Sequence, residues 1–302
     1  MPHTPVLRDE LVDAVTTDRD GAYVDATFGR GGHSIALLQR LSSGARLLAI
    51  DRDADAVAAA RALARQDPRV TAAKGRFSEL AEILKRHGMD SPVGVVFDVG
   101  VSSPQIDDPE RGFSFMHTGP LDMRMDRESP VSAARFLNET DEAEMTRVFR
   151  SYGEERYARA IARAVIRNRP LTTTTEFAAV IDRAVPRRDP NKHAATRVFQ
   201  AVRIHVNDEL GELDRGMEAA FDQLAVRGRL AILSFHSLEH RLVRGRFRLW
   251  VKGDMPRRLP VRGDAASRAR YVVRKRRPAD AEIRENPRSR SALLQVVEKT
   301  RR

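Results

Sequence analysis

The sequence predicts an α/β protein: a parallel, doubly wound sheet that carries an inserted all-helical domain. Three observations predict it. Short apolar strand signals alternate with helix signals through the first hundred residues. Helical periodicity alone follows, from about position 131 to 210. Strand character then returns at Arg229-Leu-Ala-Ile-Leu-Ser-Phe235 and Ala292-Leu-Leu-Gln-Val-Val297. The chain therefore divides into residues 1–105 with 213–302, and an insertion at 106–212.

The first strand is expected from Tyr23 to Phe28, and Gly29-Arg-Gly31-Gly32-His33-Ser34 follows it. Glycines there let the backbone turn tightly and approach a ligand with no Cβ between. A helix from about Ser34 to Leu41 buries Ile35, Leu37, Leu38 and Leu41 and points its amino end at that ligand. The second strand, Leu47 to Asp51, ends in a carboxylate 22 residues after Gly29. That offset suits an acid that meets ribose hydroxyls. In the dinucleotide pattern G-x-G-x-x-G a third glycine is expected where Ser34 stands; this weakens a nicotinamide reading and leaves it open beside S-adenosylmethionine, whose adenosine can use the same ribose carboxylate.

Alternation continues. Ala54 to Ala64 is alanine-rich and helical, Val70 to Ala73 is a short strand, and Ser78 is placed to cap a helix that buries Leu80, Ile83 and Leu84. Val93 to Asp98 reads as a fourth, buried strand. Gly29, Asp51, Phe77 and Asp98 all fall at or just beyond strand ends, the rim where such sheets bind ligands.

In the insertion, residues 107–126 are loop-like, with Pro109, Gly112, Gly119 and Pro120. Thr140, Asp141 and Glu142 open a helix that Gly153 interrupts. Another runs from Arg156 to Asn168 before Pro170, Thr175 caps a third, and His193 to Leu210 forms a long one with Val198, Val202 and Val206 on one face. Near the end, Tyr271-Val-Val273 is a hairpin partner for residues 292–297.

Composition limits the function. The 302 residues contain no cysteine, so disulfides, thiolate metal sites and cysteine nucleophiles are excluded. The eight histidines show no H-E-x-x-H spacing, and no metal is expected. Ser234-Phe-His-Ser-Leu-Glu-His240 holds serine, histidine and glutamate, but adjacency along a chain is not triad geometry. No signal peptide or membrane-spanning run is visible, which makes the cytoplasm the expected compartment. Net charge is +11, and the excess lies at the end: from position 241 onward 20 Lys and Arg face 6 Asp and Glu. The clusters Arg241/Arg244/Arg246/Arg248, Arg257-Arg258 and Arg274-Lys-Arg-Arg277 suit a polyanion.

Asp98-Val-Gly-Val-Ser-Ser-Pro-Gln105 lies where a doubly wound enzyme presents its reacting groups. An exocyclic base amine is a poor nucleophile because its lone pair is delocalised into the ring. Acceptors after the fourth strand would pull it toward tetrahedral geometry. Amino-directed methyltransferases commonly carry Asp/Asn-Pro-Pro-aromatic there, and this chain does not, so Asp98 is read first as a cofactor ligand. Two rival readings are a nicotinamide-dependent oxidoreductase and a non-catalytic RNA-binding assembly factor.

The chain closely resembles the ribosomal RNA small subunit methyltransferase H family. The resemblance rests on His3-Thr-Pro-Val-Leu7, Asp25 to Ser34, Leu48 to Asp53, Asp98 to Gln105, Glu110 to Met116 and Gly119-Pro-Leu-Asp-Met-Arg-Met-Asp126. It continues through Tyr152 to Arg156, Ala195 to Ile204, Ser234 to Glu239 and Glu285-Asn-Pro-Arg288. It implies a class I, Rossmann-like methyltransferase that uses S-adenosylmethionine on the N4 of a cytidine in 16S rRNA, in the P-site decoding region of the small ribosomal subunit. Carried onto this chain, it places cofactor contacts at Gly31, Gly32, His33, Asp51, Phe77, Asp98 and Gln105. Candidate substrate ligands are Arg124, Arg197, Arg203 and His236; no general base is identified. One departure is Phe-Asp-Val-Gly at positions 97–100, where Leu-Asp-Leu-Gly is usual.

Overall fold

The computed structural model describes residues 5–186, 193–253 and 267–301. Seven strands form one sheet: β1 (Ala22–Asp25), β2 (Arg46–Asp51), β3 (Val70–Lys74), β4 (Gly94–Asp98), β5 (Arg229–Ser234), β6 (Ala269–Arg276) and β7 (Leu293–Lys299). Their order is β3-β2-β1-β4-β5-β7-β6. β1 to β5 run parallel, and the β6–β7 hairpin joins β5 antiparallel. Residues 271–273 do pair with β7 as the sequence suggests; the long connection holds a short helix, Asp280–Glu285, and a turn at 287–291. Strand order reverses between β1 and β4, the point where open α/β sheets bind ligands.

Both sheet faces are buried, which is why the strands read as near-continuous apolar runs. On one face Leu48, Ile50, Val95, Phe97, Leu230 and Ile232 pack in one core cluster. On the other, Leu47, Ala49, Val96, Ala231 and Leu233 pack in a second. The helices α1 (Arg8–Val15), α2 (Gly32–Leu38) and α3 (Ala54–Gln66) contribute to the second cluster, and α4 (Leu80–Arg86) to the first.

Several local expectations change. β1 ends at Asp25, so 26–28 belong to the turn. Ile35 is 44% exposed rather than buried. Ser78 does not cap α4; it lies inside a 3₁₀ turn, Phe77–Glu79, whose Arg76 N–H donates to Glu79 Oε2.

The polypeptide divides into two compact units, 1–100 with 210–302, and 101–209; the sequence drew the insertion at 106–212. The second unit is helical: α5 (Ser103–Asp107), α6 (Ala133–Glu139), α7 (Glu142–Gly153), α8 (Ala158–Arg167), α9 (Thr174–Ala184) and α10 (Ala195–Asn207). Thr173, not Thr175, caps α9 in a capping box with Glu176. α10 stops at Asp208, which takes left-handed backbone, and α11 (Glu209–Gln223) begins afresh. α11 and α12 (Ser237–Lys252) place Leu213, Met217, Phe221, Val243, Phe247 and Trp250 in the first cluster; neither helix was read from the sequence. The helix at 280–285 is α13. No helix among the described residues is long and apolar enough to cross a membrane.

Candidate active site

The site grows from the turn after β1. Gly29 (φ +56°) and Gly31 (φ +79°) hold left-handed backbone, which disfavours any side chain. At Gly31 space also forbids one, because a Cβ would lie 2.5 Å from Phe28 Cζ. A Cβ on Gly32 would meet Pro5 Cγ at 2.3 Å, so part of the amino-terminal motif lies against this turn. His3 and Thr4 of that motif lie outside the described residues.

Asp51, at the end of β2, fastens the turn. Its Oδ2 accepts from the Gly29 N–H at 2.8 Å and its Oδ1 from the Asp53 N–H at 2.9 Å. Burial pushes its pKa up, against those two N–H groups. Each oxygen can still accept a second bond, so this carboxylate can serve a hydroxyl as well.

Asp98 ends β4 and its N–H donates to Thr27 Oγ1 at 2.6 Å. The carboxylate Oδ2 lies 3.4 Å from Nε2 of buried His33. Burial alone would lower the His33 pKa; the Asp98 carboxylate, with Asp25 beyond it, more than offsets this, and the net shift is upward. Asp98 Oδ1 and both His33 ring nitrogens are buried without a hydrogen-bond partner among the described residues. Orphaned buried polar groups of this kind call for an explanation, and a ligand is one.

Sequence reasoning missed Asp25. This carboxylate is 3% exposed, accepts from Ser34 Oγ at 2.7 Å and from the Thr27 N–H at 3.1 Å, and is pushed by burial to a pKa of about 6. The available signal was an acid closing an apolar strand just before the glycines. Ser34, read from sequence as a missing third glycine, is its partner. Phe77 opens the turn after β3 and sets its ring edge-on to Phe97, centroids 5.4 Å apart; Gly216 of α11 packs so close that a Cβ would lie 2.5 Å from the Phe77 ring.

Three carboxylates thus gather at the ends of β1, β2 and β4, beside a turn of exposed backbone. Such a set of acceptors suits hydroxyl and amine hydrogens and favours positive charge over an anionic pyrophosphate.

Residues 1–300 match the MraW methylase family. The chain belongs to that family. Ribosomal RNA small subunit methyltransferase H of Chromohalobacter salexigens is 51% identical over 304 residues, covering 98% of this chain and 91% of that protein. Among solved structures, an rRNA methylase from Streptococcus thermophilus is 12% identical with a TM-score of 0.42, covering 97% and 94% of the two chains. NSun6 from Pyrococcus horikoshii, solved with SFG, is 10% identical with a TM-score of 0.45, covering 99% of this chain and 53% of its own.

The other predicted site residues of this MraW-family methylase have local partners of their own, or none among the described residues. Gln105 belongs to the second unit, and its Oε1 accepts from the Ser102 N–H at 2.9 Å in a capping box for α5. Arg124 is held by Asp122 (Nε to Oδ1, 2.6 Å) and by the Ser129 carbonyl at 2.8 Å. Arg203 grips Glu209 with two bonds of 2.7 and 2.8 Å. Arg197 is exposed on α10.

His236 is the N-cap of α12 in a capping box with Glu239, and Glu239 Oε2 accepts from the N–H groups of Phe235 and His236. The Ser234–His240 motif is therefore a helix cap, not a catalytic triad. Among the basic clusters, Arg246 is taken up by Asp214 and Glu218, while Arg257 and Arg258 lie outside the described residues.

Proposed function

We propose that this MraW-family methylase transfers a methyl group from S-adenosylmethionine to the exocyclic N4 of a cytidine in 16S rRNA, in the P-site decoding region of the small subunit, and works in the cytoplasm. The observation that carries the cofactor reading is the set of groups at the strand ends: a left-handed glycine turn beside Asp25, Asp51 and Asp98, with Asp98 Oδ1 buried and unpartnered among the described residues. The group fits these residues. Its ribose hydroxyls suit Asp51, its amine hydrogens suit Asp98, and its positive charge suits three gathered carboxylates. Gly31 and Gly32 would let its polar chain approach the backbone.

The chemistry the cofactor supplies when bound is an electrophilic methyl on a sulfonium. The protein's own work is positioning. Asp98, at the rim, places its Oδ2 3.4 Å from His33 Nε2 and offers its Oδ1 as an acceptor. No residue is assigned as a general base, and the amine proton leaves after transfer or in concert with it. Holding amine and methyl in line then supplies most of the rate. The helical unit, with exposed Arg197, is assigned to RNA recognition, and the target cytidine is flipped or otherwise exposed to reach the rim.

The test is methyl transfer from tritiated cofactor to small subunits of a strain lacking this gene, followed by nucleoside mass spectrometry. N4-methylcytidine in 16S rRNA is the expected product. No incorporation across several assembly states would favour a binding factor instead.

A further inference from the structure

Two groups of basic residues stand out in the carboxyl-terminal segment. One is paired: Arg246 with Asp214, Arg268 with Asp222, Arg270 with Glu298, and Arg276 with Glu10. The other has no carboxylate partner among the described residues: Arg244 and Arg248 on α12, and Arg274, Lys275 and Arg277 at the end of β6 and just beyond. All five are exposed.

Three of them converge. Arg244 and Arg248 lie one helical turn apart on the outer face of α12, which packs along β6. Arg274 sets its guanidinium 5.9 Å from the centroid of the Tyr271 ring. Burial raises the Tyr271 pKa, and the positive charges of Arg274, Arg248 and Arg244 all act on its phenol to oppose that. One phenol therefore sits within electrostatic reach of three unpaired guanidiniums from two elements. Its hydroxyl makes no hydrogen bond within the described residues.

Concentrated, unneutralised positive charge on a surface is costly for the fold alone, since like charges repel and no packing is gained. Guanidinium forks and a phenolic O–H are the donors that phosphate oxygens take. The edge position matters too: β6 is three strands beyond β4, roughly 15 Å at the usual strand spacing of ~4.8 Å.

We propose that Arg244, Arg248 and Arg274, with the Tyr271 hydroxyl among them, form a phosphate-binding patch that docks RNA backbone several nucleotides away from the methylated base. The patch rests on the reading that rRNA is the substrate. It carries no base readout, so it sets affinity and register rather than sequence choice.

The test uses the full chain and a fluorescein-labelled 16S rRNA fragment containing the decoding region, read by anisotropy across a salt series. A patch variant replaces Arg244, Arg248 and Arg274 with Gln. A control replaces Arg61, Arg65 and Arg86 with Gln, removing equal charge from exposed positions on α3 and α4, beside the opposite end of the sheet. The patch variant should bind at least tenfold more weakly near 0.15 M salt, and its slope of log affinity against log salt should fall by about 2, at ~0.7–0.9 per phosphate contact. KM for the RNA should rise while kcat and cofactor affinity hold. Tyr271→Phe should weaken binding several-fold with the slope kept.

A patch variant that binds as wild type, or no worse than the control, overturns the proposal and leaves the surface to another anionic partner. Wild-type methyl transfer to rRNA, measured in parallel, separates this failure from failure of the substrate reading itself.

Discussion

Ser34 Oγ donates to the Asp25 carboxylate at 2.7 Å, and neither residue is more than 3% exposed. A serine that looks like a defect in a glycine pattern is thus the partner of a buried acid. The pairing is incomplete compensation: Ser34 and the Thr27 N–H favour the ionised form, yet burial wins and the pKa rises to about 6.

Stability should therefore depend on pH in a defined window. A raised carboxylate pKa means the folded protein binds the proton more tightly than the unfolded chain. The contribution is fully present below the unfolded value of 3.8 and is lost as pH rises through about 6. His33, also raised, acts in the same sense at higher pH, from its unfolded value of 6.5 upward. Urea unfolding should show wild type losing about 2 kcal/mol between pH 4 and 6, on the scale of ~1.4 kcal/mol per pKa unit. Asp25→Asn should flatten that window and narrow the upper one, since Asp25 also helps raise the His33 pKa. An unchanged profile would show that Asp25 does not titrate there.

Asp51 has two duties, and one substitution separates them poorly. Asp51→Ala removes the acceptor for both the Gly29 and Asp53 N–H groups. It should lower stability by about 1–3 kcal/mol and weaken S-adenosylmethionine binding at least tenfold by calorimetry. Cofactor affinity equal to wild type would sink the ribose assignment.

The sheet was legible because strands buried on both faces must be apolar throughout, and the strand-end positions of Gly29, Asp51 and Asp98 follow from that alone. α12 was hidden by its own arginines: Val243, Phe247 and Trp250 make a buried stripe, but the four arginines at 241–248 dominate the segment. Gly211 and Gly216 likewise obscured α11, and Gly216 exists where the Phe77 ring needs room. Asp25 was illegible for a different reason. Its shifted pKa depends on burial and on His33 and Asp98, which no local pattern encodes.

Glycine substitutions test how far a match in sequence reflects packing. A Cβ on Gly119 would lie 1.9 Å from the Pro109 carbonyl oxygen, a backbone atom that cannot swing away. The segment that follows is tied by Leu121 N–H to Thr172 O and by Met123 N–H to Arg111 O. Gly119→Ala should cost more than ~3 kcal/mol, as overpacking against backbone does at its worst. Gly245, inside α12, has nothing within 4 Å of its would-be Cβ. Gly245→Ala should instead stabilise by about 0.5–1 kcal/mol in urea unfolding. Equal effects at the two sites would refute the packing argument.

Arg203 and Arg197 lie on one helix, both proposed for RNA, and the structure gives them different work. The Arg203 fork holds both oxygens of Glu209, whose side chain is 7% exposed. Removing that fork leaves a buried carboxylate uncompensated, a loss of about 3 kcal/mol or more. Lysine cannot restore it, because a single ammonium does not span two carboxylate oxygens. Arg203→Gln and Arg203→Lys should therefore both lower the melting temperature by several degrees. Arg197 is exposed, so Arg197→Gln should leave stability within about 0.5 kcal/mol. If it meets phosphate, KM for rRNA rises and the salt slope of binding falls by about 1. A melting loss at Arg197 with unaltered RNA kinetics, or the reverse pattern at Arg203, would exchange the two roles.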